Sequence, residues 1–210
     1  MTKIKAVVFD MDGVLIDAKE WHYEALNKAL SLFGFSISRQ DHLLAYDGLP
    51  TRKKLEMLSL EKSLPVGLHD FINEMKQIYT MQIANMRCCP IFAHEYALSR
   101  LKSEGYLLGV ASNSVKDSVE LMMNKSHLAP WLDIKLSNQD VKKPKPAPDI
   151  YLKAAELLKL APGECLVIED NQHGIAAAQA AGTHVLAVSG IDDVTYQAIR
   201  ARISELEKTA

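Results

Sequence analysis

Four runs of strand length, Ile4 to Phe9, Tyr106 to Ala111, Cys165 to Ile168 and His184 to Val188, are continuously apolar instead of alternating with polar residues. Alternation suits a sheet with one wet face, whereas a continuous run suits a strand covered on both faces. Between the later runs lie helical patterns at Val115 to Lys125, Asp149 to Leu160 and Gly174 to Ala181, with Gly182 as a helix stop. This repetition predicts an α/β fold built on an open parallel sheet with right-handed crossovers. In such sheets ligands bind beyond the carboxyl ends of the strands.

From about residue 17 to residue 88 the strand-like runs stop and helical spacing takes over. Trp21, Ala25, Ala29 and Phe33 mark one helix face, and Leu68, Phe71, Ile72, Met75, Ile78, Ile83 and Met86 mark another. Thr51 is placed to cap a third helix through Leu55 and Leu58. A structureless connection of this length is implausible in a compact protein. The expected organisation is a Rossmann-like core over 1–16 and 89–210, with an inserted α-helical cap domain over 17–88.

Composition narrows the class. The 210 residues are 48% hydrophobic and 24% charged, an ordinary globular balance, and the formal charge of −2 provides no general field for nucleic acid. Cys88, Cys89 and Cys165 form neither a disulfide framework nor a paired zinc spacing, which favours a reducing compartment. No run approaches about 18 apolar residues, and the N-terminus lacks the long apolar stretch of a signal peptide. We therefore expect a cytoplasmic monomer with no membrane or nucleic-acid partner.

The first strand ends in Phe9-Asp10-Met11-Asp12-Gly13, two carboxylates one residue apart before a glycine at which the chain turns. Such a pair repels itself unless a cation or a shared proton compensates. In phosphoryl transfer both apply, with Asp10 as nucleophile and Asp12, on the same face, passing protons. Taken alone, the pair also fits an acidic turn.

Three further strand ends carry polar groups. Ser112 and Asn113 follow Ala111 just ahead of a helix, where backbone N–H groups can hold a phosphate, although both residue types also serve as helix caps. Lys142-Lys143-Pro144-Lys145-Pro146 presents lysines on a backbone restrained by proline; Lys145 directly precedes the next helix, but charge alone does not exclude Lys142 or Lys143. Glu169 and Asp170 end another apolar run. Four carboxylates at one sheet edge call for a hard divalent cation, and Mg2+ fits best.

In their order, FDMDGVLID, VASNS, KPKPAPDIY and IEDN resemble the motifs of the haloacid dehalogenase superfamily. The helical insertion resembles its members with a small helical cap, as in beta-phosphoglucomutase and sugar phosphatases. The resemblance implies an aspartyl-phosphate on Asp10 and acid–base work by Asp12. It implies that Ser112 and Lys145 bind the phosphoryl group, with Asn113 beside them. Magnesium is then held by Asp10, the Asp12 carbonyl and Asp170, with Glu169 assisting. Asp12 also argues against dehalogenation, whose halide leaving group needs no proton.

By the same resemblance the cap selects the leaving group. Its candidate residues are His22, the turn Gly48 to Lys54 with Arg52, and Lys76, each of which also fits an ordinary structural or solvated role. The turn is one residue out of step with the mutase pattern, and Cys89-Pro90-Ile91-Phe92-Ala93-His94 replaces the usual Pro-Gly return. The expected function is a Mg2+-dependent phosphatase acting on a small phosphorylated metabolite, a sugar phosphate foremost. The alternatives are a beta-phosphoglucomutase-type phosphomutase and a non-catalytic phosphate-binding protein on the same scaffold.

Overall fold

The computed structural model describes residues 3–46 and 49–209, so the Gly48 end of the cap turn lies outside the described residues. Two compact units emerge, Met1–Asp17 with Cys88–Ala210, and Ala18–Arg87.

The first unit opens with β1 (Ala6–Phe9). The second unit then contributes α1 (Lys19–Ser31), the short α2 (Arg39–Asp41), α3 (Thr51–Lys62) and α4 (His69–Arg87). The chain returns to the first unit through α5 (Phe92–Ser103), β2 (Leu107–Ala111), α6 (Lys116–Lys125) and β3 (Ile134–Leu136). It finishes with α7 (Asp149–Leu158), β4 (Cys165–Glu169), α8 (Gln172–Ala180), β5 (His184–Ala187) and α9 (Tyr196–Thr209).

The five strands are all parallel, in the order β3-β2-β1-β4-β5, which makes the fold a Rossmann-like α/β sheet. The continuous apolar runs are explained by burial on both faces. Ala6, Val8, Cys165 and Val167 point to one side, where α7 and α8 supply Ile150, Tyr151, Ala154, Ala177 and Ala178. Val7, Phe9, Leu108, Val110, Leu166 and Ile168 on the other side are fully buried as well.

Register then fixes chemistry. Phe9 stands beside Val110 of β2 and Ile168 of β4, so these three strands end at one level. Asp10, Ser112 and Glu169 are thus delivered to one edge by backbone pairing.

Several elements differ from the sequence expectation. The edge strand β3 was not predicted, because three residues including Lys135 carry too little apolar signal. Helices α5 and α9 were also missed, and they pack on each other. Thr51 is the first residue of α3 and caps nothing; Pro50 precedes it and the helix has no side-chain cap. In α1 the buried face is Ala25, Leu26, Ala29 and Leu30, while Phe33 lies beyond the helix and is exposed. In α4 the buried positions are Ile72, Lys76, Thr80, Ile83 and Ala84, whereas Phe71, Ile78 and Met86 are exposed. The helical unit's own core joins Leu26, Ala29 and Leu30 to Tyr46, Leu55, Leu58 and Ile72.

Gly109 permits the close approach of β2 and β3, since a Cβ there would lie 2.6 Å from the Ile134 side chain. Gly109→Ala is expected to lower stability by about 1–3 kcal/mol through overpacking, read as a reduced urea midpoint with an unchanged slope.

Candidate active site at the strand ends

Asp10 leaves β1 with its amide donating to the Ile168 carbonyl at 2.9 Å, which pins the nucleophile candidate to the neighbouring strand. The chain then turns sharply. Gly13 adopts φ +97°, a left-handed conformation that glycine takes without strain, and the amides of Leu15 and Ile16 both donate to the Met11 carbonyl.

One cation organises the carboxylates. The Lys145 ammonium donates to Asp10 Oδ1 at 2.6 Å and to Glu169 Oε1 at 2.5 Å, and all three residues are at least nine-tenths buried. Its position is set by Asn113, whose Oδ1 accepts from the Lys145 amide at 3.0 Å and whose Nδ2 donates to the Lys145 carbonyl at 3.3 Å. Asn113 therefore spends its side chain on the lysine loop.

Glu169 is fully engaged. Its Oε1 also accepts from the Tyr151 hydroxyl at 2.6 Å, and Oε2 accepts from the amides of Asp170 and Asn171 at 3.2 and 3.4 Å. Asp12 is oriented by Ser114, whose hydroxyl donates to its Oδ2 at 2.8 Å, and the Ser114 amide donates to Ser112 Oγ at 3.0 Å. One Ser-Asn-Ser segment thus holds the acid–base candidate, the phosphate-binding candidate and the lysine.

Electrostatics follow from burial. Burial foremost, then the Glu169 carboxylate, push the Asp10 pKa well above the usual carboxylate range; Lys145 opposes them and Asp12 adds to the rise. Burial pulls Lys145 down, but Asp10 and Glu169 outweigh it, so the lysine stays an ammonium.

Ligand oxygens from Asp10, Glu169 and Asp170 lie within 4.8 Å of one another. Opposed oxygens around an octahedral magnesium stand roughly 4 Å apart, so a hard-oxygen set gathered this closely suits such an ion. The Asp12 side chain is outside the cluster, which is compatible with a role for its carbonyl.

The sequence-predicted cap residues separate. In the helical unit the buried Lys76 ammonium donates to His22 Nδ1 at 3.2 Å, so that pair is brought together. Arg52 is not part of it; its side chain is 91% exposed and pairs with Glu56 along α3. Lys54, two residues on, is buried with Leu55 and Leu58. His94 is buried in the first unit, with Nε2 2.9 Å from the Ile191 carbonyl and Nδ1 3.2 Å from that of Leu15. It ties the turn after β1 to the segment after β5.

Sequence reasoning missed Ser114, Tyr151 and Gly174. Ser114 and Tyr151 lie inside the quoted motifs, but their partners are distant in sequence. Gly174 had one available signal, a glycine in the first turn of a helix directly after the acidic strand end.

An acidic trio, a buried lysine and a serine beyond the ends of adjacent parallel strands make a carboxylate-based site at the carboxyl edge of an α/β sheet. The chain belongs to the haloacid dehalogenase-like hydrolases, whose family model matches residues 7–188. It is 31% identical over 193 residues to Protein CbbY of Rhodobacter capsulatus, covering 88% of this chain and 85% of that protein. It is 30% identical to a bifunctional riboflavin kinase/FMN phosphatase of Arabidopsis thaliana, covering 90% of this chain but only half of that longer protein. The solved beta-phosphoglucomutase of Clostridium difficile has the same fold, with a TM-score of 0.82 at 23% identity over 98% of this chain and 99% of that one. No helix among the described residues is long and apolar enough to cross a membrane.

The raised Asp10 pKa has a definite sign. Ionising Asp10 costs folding energy, so its contribution is full below the unfolded value of about 4 and is lost as pH rises through the folded value. In metal-free protein the thermal midpoint of Asp10→Asn should therefore rise relative to wild type as pH climbs above about 4. Magnesium should raise the wild-type midpoint. A constant difference across pH would contradict this electrostatic account.

Proposed function

We propose that this protein is a magnesium-dependent phosphatase that hydrolyses a small phosphorylated metabolite through an aspartyl-phosphate on Asp10. The observation that carries the reading is the buried Lys145 bridge between Asp10 and Glu169, beside the oxygen cluster completed by Asp170.

In this mechanism the Asp10 carboxylate attacks phosphorus in line with the leaving oxygen. Lys145 and Ser112, with the backbone N–H of Asn113, meet charge developing on the equatorial oxygens. Asp12, oriented by Ser114, protonates the leaving alcohol and then takes a proton from the water that hydrolyses the acyl phosphate. Asp10, the Asp12 carbonyl and Asp170 would hold magnesium, which supplies charge neutralisation as the phosphoryl group transfers. Glu169 acts here chiefly on Lys145, because its oxygens are already engaged.

Substrate selection is assigned to the helical unit, with the His22–Lys76 pair favoured over Arg52. The phosphatase named among the relatives supports a phosphorylated small molecule, and a sugar phosphate is the class tested first. The protein is read as a cytoplasmic monomer.

Release of phosphate from p-nitrophenyl phosphate should require magnesium, and Asp10→Asn should lower kcat by about 1,000-fold or more. Equal rates for variant and wild type would remove Asp10 as nucleophile. With beta-glucose 1-phosphate and a trace of the bisphosphate, free phosphate should exceed glucose 6-phosphate. Predominant isomerisation would replace the phosphatase by a phosphomutase.

A further inference from the structure

Tyr151 makes two contacts that core packing does not require. Its hydroxyl donates to Glu169 Oε1 at 2.6 Å, and the Lys145 ammonium stands 4.9 Å from its ring centroid. The same Oε1 accepts from Lys145, so one carboxylate oxygen joins tyrosine and lysine. The residue is 1% exposed and sits among Ala154, Ala155 and Val167, where phenylalanine would pack equally well. Burial and the Glu169 charge hold the phenol well above its usual range, so it remains a donor.

Gly174 also borders the Glu169 carboxylate. A Cβ built on this first-turn residue of α8 would overlap both carboxylate oxygens and their carbon. The absence of a side chain gives Glu169 its room, and Tyr151 supplies its hydrogen bond. Neither residue reaches Asp10 directly.

We propose that Tyr151 and Gly174 are positioning residues that hold Glu169 against Lys145 and thereby fix the ammonium beside Asp10. A carboxylate without the tyrosine donor is freer to rotate, and a Cβ at 174 forces it to move. Either change lets the Lys145 ammonium drift from the place where phosphoryl charge develops. The catalytic consequence rests on the phosphatase reading above; the geometric one does not.

The test pairs a kinetic cycle with a signal independent of turnover. With p-nitrophenyl phosphate and saturating magnesium, Tyr151→Phe should lower kcat about tenfold, as expected for one hydrogen bond to a charged group, with KM within about twofold. In a Glu169→Gln background the same substitution should cost less than about twofold, because its partner is already neutral. Gly174→Ala, acting from α8, should reproduce the kcat loss and tests the link even if Tyr151→Phe fails to fold. In parallel, the Lys145 ammonium resonance of 15N-lysine-labelled protein, identified by its loss in Lys145→Arg, should shift or broaden in both variants. Wild-type kcat in Tyr151→Phe and Gly174→Ala, undiminished losses in the Glu169→Gln background, or an unmoved Lys145 resonance would each overturn the proposal. A responsive resonance in a protein that hydrolyses no phosphate ester would instead reject the phosphatase reading and leave the positioning network standing.

Discussion

The Lys145 ammonium lies between Asp10 and Glu169 with almost no solvent, and the strand-end architecture is arranged around that contact. Buried carboxylates at this density are self-repelling, and the charge of one lysine only partly offsets Asp10, Asp12, Glu169 and Asp170. Such a cluster persists where the backbone over-determines it. Here the central strand β1 is paired on both sides, the Asp10 amide is bonded to Ile168, and Asn113 grips both backbone groups of Lys145. The folding energy of a fully buried sheet is thus used to hold an electrostatically uncomfortable group of residues in place. That residual negative potential favours a divalent cation, and in the proposed mechanism the cation and Lys145 together would meet the charge of the phosphoryl group.

Three of the functional residues are held by a hydrogen-bonding neighbour. Ser114 orients Asp12, Asn113 orients Lys145, and Tyr151 orients Glu169. These supports come from the loop after β2 and from α7. His94 adds a further tie, spanning from the turn after β1 to the segment after β5. Rigidity matters here because a nucleophile and its charge partners work only within a narrow range of positions.

Much of this was legible in the sequence because it depends on local pattern. Continuous apolar runs announce strands buried on both faces, and acids or a serine directly beyond them must fall at the carboxyl edge. Asp10, Ser112 and Glu169 needed nothing more than that. The parts that were not legible depend on register and distance. β3 is three residues long with a lysine at its centre, so its pairing with β2 is visible only when Gly109 meets Ile134. Asn113 reads as a cap or phosphate ligand until its side chain is seen bonded to Lys145, 32 positions away. Arg52 and Lys54 differ by two positions on α3, and helical phase alone turns one to solvent and buries the other. Gly174 is legible only as a space, and a space is read from what fills it.

The central claim is that Asp10 itself receives the phosphoryl group. Acid quenching of Asp12→Asn during turnover of p-nitrophenyl phosphate, followed by peptide mass spectrometry, addresses it directly, since slowed hydrolysis lets the acyl phosphate accumulate. The account predicts one added phosphoryl group on the peptide containing Asp10, lost when Asp10 is also changed to Asn. Modification of another residue, or phosphate release with no covalent phosphoryl on that peptide, would contradict it.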